Sequence, residues 1–85
     1  MGITVKTNTR EEIMDITEKI NRLIDGKKGK AVLVYVPHTT CGLVINEFSD
    51  KNVCEDLLNF LKKQVPRGKW KHDCEEGNAD SHIKA

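Results

Sequence analysis

The six residues Ala31-Val32-Leu33-Val34-Tyr35-Val36 constrain the fold more than any other part of the chain. They are apolar on both parities and rich in β-branched side chains, the pattern of a strand covered on both faces. Pro37 removes the next ladder donor and ends the run. A strand of this kind needs neighbours on either side and cover above and below. Two other segments read as strands. In 2–7, Ile3 and Val5 alternate with Thr4 and Lys6, and in 43–46 Leu43, Val44 and Ile45 precede Asn46. A three-stranded sheet with a fully buried middle strand is marginal.

The helices are marked by periodicity. Thr9 and Glu12 have the spacing of a capping box, and behind them Ile13, Ile16, Ile20, Leu23 and Ile24 recur at intervals of three and four. Gly26 is placed to end that helix. A second helix starts after Ser49 or Asp50, lines its inner face with Val53, Leu57, Phe60 and Leu61, and stops at Pro66. The order strand, helix, strand, strand, helix predicts an α+β fold, a sheet with two helices packed on it. The expectation is a single domain over residues 1–85 whose sheet is unfinished, completed by further residues or by another subunit.

Composition removes several function classes. A chain of 85 residues holds one domain and buries only about 60–65% of its unfolded surface. Fourteen Lys and Arg against thirteen Asp and Glu leave a net charge of +1, without the basic excess of a nucleic-acid binder or a membrane-surface protein. The run 31–36 is far short of the ~20 apolar residues of a membrane span. No apolar signal segment follows Met1, so the expected address is cytoplasmic. Cys41, Cys54 and Cys74, odd in number and without a CxxC pair, read as reduced thiols.

All three histidines lie outside the apolar periodic segments. His38 follows the central strand, and His72 and His82 flank an acidic stretch containing Gly77-Asn78. Three neutral imidazoles suit a facial set around Zn²⁺ or a similar ion, although this spacing matches neither a zinc finger nor a zincin helix. Three unconnected surface histidines fit the spacing equally well. Thr39, Thr40 and Gly42 form a loop at a strand end, able to donate to a phosphate or carboxylate or simply to close a turn. Asn46 and Glu47 end the second strand. Glu47 can serve as a general base or as a partner to a histidine, and can equally be a solvated residue before a cap.

The run His38-Thr39-Thr40-Cys41-Gly42-Leu43-Val44-Ile45-Asn46-Glu47, followed by Asp50, Val53 and Asp56-Leu57-Leu58, closely resembles the YjbQ-type family. So does His72 with Glu75-Glu76-Gly77-Asn78-Ala79-Asp80-Ser81-His82-Ile83-Lys84. The family is often labelled secondary thiamine-phosphate synthase, and the likeness covers the whole chain. It implies a mainly antiparallel sheet, a homotrimer, and a site of three histidines matching His38, His72 and His82. These are associated with a bound metal or anion, near the residues matching Asn46, Glu47 and Asn78. The implied cofactor is a divalent metal, zinc first and magnesium second. Relatives continue beyond the point matching Ala85 with further strands, so the chain reads as lacking the family's C-terminal part.

Under that resemblance the expected activity is metal-assisted chemistry on a phosphorylated small molecule. In the form the label suggests, a pyrimidine pyrophosphate joins a thiazole phosphate and pyrophosphate leaves. His38, Glu47, His72 and His82 would be catalytic, Thr39, Thr40, Gly42, Asn46 and Asn78 would bind substrate, and the three histidines would hold the metal. The alternatives are a non-catalytic trimeric metal- or anion-binding protein and a metal-dependent phosphoester hydrolase using the same residues.

Overall fold

The computed structural model describes residues 1–85 as two units, Met1–Val34 and Tyr35–Ala85. The first unit contains one helix, α1 (Thr17–Ile24). The second contains α2 (Lys51–Gln64), a 3₁₀ turn (Lys71–Cys74) and a short helix α3 (Ala79–Lys84).

In the first unit only the second half of the apolar stripe, Ile20, Leu23 and Ile24, lies on the helix, and Ile13 and Ile16 precede it. Ile13, Ile16, Ile20, Leu23 and Ile24 are all half-buried while the polar residues between them face solvent. The helix nevertheless begins later than the Thr9–Glu12 capping box predicts. Glu12 turns its carboxylate to the Asn8 N–H at 2.8 Å, and the Thr9 hydroxyl donates to the Glu11 carbonyl at 2.8 Å. These contacts close a bend over 8–11 instead of a helical turn. The start is organised by Asp15, whose Oδ1 accepts from the Thr17 N–H at 2.9 Å and the Thr17 hydroxyl at 2.6 Å. Those two donors hold the Asp15 carboxyl below the usual carboxylate range. Gly26 adopts φ +72° just past the helix end, a conformation that only glycine reaches without steric cost.

In the second unit Asp50 caps α2, accepting from the Asn52 N–H at 2.9 Å. Val53, Leu57 and Leu61 are half-buried as their spacing predicts. Phe60, expected on the same face, is 56% exposed, and Cys54 and Leu58 take its place. The helix closes with the Val65 N–H on the Leu61 carbonyl at 2.8 Å, immediately before Pro66.

The predicted α+β architecture is not what forms. The chain contains no β-strand, and its regular structure is helical throughout. The three candidate strands, 2–7, 31–36 and 43–46, run without a ladder. Leu33 is 92% exposed, and Tyr35 and Ile45 likewise stand in solvent. The physical reason lies in what a strand is. Helical hydrogen bonds close within four residues, whereas a strand must find its partners elsewhere in the fold. Three short candidates without a cover on both faces do not meet that requirement. The one buried apolar side chain is Ala79, at the start of α3.

Candidate functional site

The sequence around residue 70 folds into a small clasp within the second unit. The Trp70 indole N–H donates to the Pro66 carbonyl at 2.6 Å, which pins the ring against the exit of α2. The 3₁₀ turn follows at once and carries His72. Gly77, at φ +69°, reverses the chain into α3, which carries His82. The two imidazole centroids stand 5.0 Å apart with the rings at 80°, edge against face. Trp70, His72, Ala79, His82 and Ile83 line an open cleft of about 360 Å³.

Asp73 joins the two halves of this clasp. One carboxylate oxygen accepts from the Trp70 N–H at 3.0 Å, and the other accepts from the Ala79 N–H at 3.1 Å. Both donors belong to the start of a helical element, where a backbone N–H has no partner within the helix. Beneath them Asp80 is fully buried, and its carboxylate pairs with the Lys84 ammonium at 3.0 Å, one helical turn along α3. Asn78 opens α3. Its carbonyl accepts from Ser81 and His82, its side-chain Nδ2 donates to Glu76 at 3.3 Å, and its Oδ1 is enclosed without a partner.

The other expected site residues occupy a different setting. His38, Thr39, Thr40, Gly42, Asn46 and Glu47 are all exposed. Asn46 Oδ1 accepts from the Glu47 N–H at 2.7 Å, and Glu47 accepts from the Ser49 hydroxyl at 3.0 Å, so both shape the approach to α2. Gly42 lies close to the end of α3: a Cβ placed there would sit 3.1 Å from the Ala85 carbonyl carbon. His38 does not line the cleft that His72 and His82 share.

The metal expectation therefore needs correcting. No group of three or more His, Cys, Asp or Glu side chains is placed to hold a metal ion. Two imidazoles do meet, but a zinc site takes at least three protein ligands. The zinc, metal-binding and transferase readings lose their footing together, because the metal-assisted reaction on a phosphorylated substrate rested on the three-histidine set and on a sheet to carry it. Asp73 and Asp80 are the organising residues that the sequence did not single out. An Asp three positions after Trp70 suits an N3 cap, but its bond to Ala79 across the Gly77 reversal has no local signature.

No helix of the chain is long and apolar enough to cross a membrane. A family model described as UPF0047 protein YjbQ-like matches residues 1–85. The chain is 50% identical over 86 residues to a UPF0047 protein of Archaeoglobus fulgidus, covering all of this chain and 67% of that protein. It is 46% identical over 83 residues to a UPF0047 protein of Methanocaldococcus jannaschii, covering 95% of this chain and 59% of the relative. It is 35% identical over 88 residues to the UPF0047 protein YugU of Bacillus subtilis, covering 98% of this chain and 64% of the relative. The chain thus spans roughly two thirds or less of the length of these curated relatives. No solved structure matches it. With the family model matched from end to end and identities of 35–50%, the chain belongs to the UPF0047 YjbQ-like family.

Proposed function

We propose that the chain is a non-catalytic binding protein for a small oxyanion, with His72 and His82 as the recognition pair. The single observation that carries this reading is their convergence, 5.0 Å apart, in an open cleft whose remaining walls are Trp70, Ala79 and Ile83. A neutral imidazole offers one N–H donor and an imidazolium offers two, so a pair of them suits an acceptor with several lone pairs. Lys84 adds nothing to the attraction, because its ammonium is committed to Asp80.

The working assembly in this proposal is the homotrimer that the family resemblance implies. The exposed side chains of Tyr35, Leu43 and Ile45 support it, since subunit packing would bury them. The three free cysteines suit a reducing, cytoplasmic setting.

Histidine NMR titrations with orthophosphate, sulfate and Zn²⁺ in separate arms test the reading. The expected result is saturable movement of the His72 and His82 resonances by both anions, with His38 unmoved. A Zn²⁺ complex that engages all three histidines would overturn it, and so would release of phosphate from p-nitrophenyl phosphate. Light scattering after size exclusion tests the trimer. A monomer at tens of micromolar refutes that part alone.

A further inference from the structure

We propose that Asp73 is the positioning residue of the cleft, setting the His72–His82 geometry through two hydrogen bonds from one carboxylate. The proposal rests on the anion-binding reading and deepens it by naming what fixes the recognition pair. His72 lies one residue before Asp73 on the 3₁₀ turn, and His82 lies three residues beyond Ala79 on α3. The carboxylate takes the Trp70 N–H at 3.0 Å with one oxygen and the Ala79 N–H at 3.1 Å with the other. It therefore spans the Gly77 reversal and holds the start of each histidine-bearing element to a common point.

Local hydrogen bonds within each element fix that element alone. The 3₁₀ turn closes on itself through the Asp73 N–H to the Trp70 carbonyl, and α3 closes through Ser81 and His82 to the Asn78 carbonyl. Asp73 acts between them. Only a carboxylate supplies two acceptor oxygens on one planar group. An asparagine offers one oxygen and places an NH₂ against the second N–H, while an alanine offers neither.

The same residue allows a test by sign. A carboxylate beside an anion site repels the anion, so a purely electrostatic role predicts that Asp73→Asn tightens binding. A positioning role predicts the reverse. The experiment uses the full chain as wild type, Asp73→Asn, Asp73→Ala and, as a charge control, the exposed Glu75→Gln. Two quantities are read: orthophosphate affinity at pH 6, and the nuclear Overhauser effect between the His72 and His82 rings. Far-UV circular dichroism confirms that α2 is retained.

The expected result is a loss of affinity of roughly threefold for Asp73→Asn and tenfold or more for Asp73→Ala, from charge-assisted hydrogen bonds to backbone. The inter-ring effect weakens in the same order, and Glu75→Gln matches wild type or binds slightly tighter. Asp73→Asn binding as tightly as wild type, with the inter-ring effect intact, overturns the proposal. Should wild type bind no orthophosphate, the anion reading fails, and the inter-ring effect in the variants still decides the role of Asp73. Should Asp73→Ala fail to fold, Asp73→Asn decides it.

Discussion

Replacing Lys84 with methionine tests whether the buried ion pair holds α3, the helix that carries His82, in place. The Asp80 side chain is fully buried, the Lys84 side chain is 11% exposed, and their charged atoms lie 3.0 Å apart. At an effective dielectric of about 20, two unit charges at that distance attract by roughly 5–6 kcal/mol. Desolvation cancels much of this in the intact pair. Removing one partner leaves that cost standing, and breaking buried pairs typically destabilises by about 3–5 kcal/mol. Asp80 has further interactions in the structure, which places the expected loss at the lower end, about 3 kcal/mol.

Methionine retains most of the apolar stem of lysine, so the substitution reads the charge rather than the packing. The chain has one tryptophan, and Trp70 lines the cleft beside α3, so urea unfolding followed by its fluorescence reports on this region directly. The double substitution Asp80→Asn with Lys84→Met should recover more than half of the loss, since no buried charge is then left without its counter-ion. A loss below about 1 kcal/mol for Lys84→Met, or a double variant no more stable than the single one, would refute the reasoning.

Two further outcomes follow from the helix starts. Asp15 titrates below its ordinary value of 3.8 because the Thr17 hydroxyl and N–H both stabilise the carboxylate. Its contribution to α1 is therefore present above that value and is lost as pH falls through the lower folded value, a midpoint that carboxyl ¹³C shifts measure directly; a midpoint at or above 3.8 contradicts the two contacts. Asp50→Ala removes the cap on the Asn52 N–H and should cost about 1 kcal/mol of α2 stability, measured as faster amide exchange confined to the first turn.

What was legible in the sequence follows the range of the interactions. The helical face at Ile20, Leu23 and Ile24, the cap at Asp50 and the exit at Pro66 are decided within a few residues, and the structure agrees at each. The first two turns expected of α1, over 10–16, do not form because Thr9 and Glu12 use their side chains on other local partners, at Glu11 and Asn8. The strands were misread for a different reason. The composition of 31–36 states what such a segment prefers when neighbours exist, and pairing is not encoded in the segment itself. The site divides the same way. His72 and His82 stood out as polar groups in a region of turn residues, but their meeting depends on one carboxylate reaching across a chain reversal. His38 stood out equally, and nothing local brings it to them.

The flanks of 31–36 have a practical consequence. A six-residue window of high β-propensity, with no charge and no proline, is the kind of segment that seeds intermolecular cross-β stacking when it is solvent-accessible. Here Lys27, Lys28 and Lys30 precede it and Pro37 follows it, the placement of residues that oppose such growth. The repulsion from those ammonium groups weakens with added salt, because the screening length falls to about 8 Å near 0.15 M. Concentrated samples should therefore form thioflavin-positive fibrils faster as ionic strength increases, and exchanging Lys28 and Lys30 for glutamine should shorten the lag even in dilute buffer.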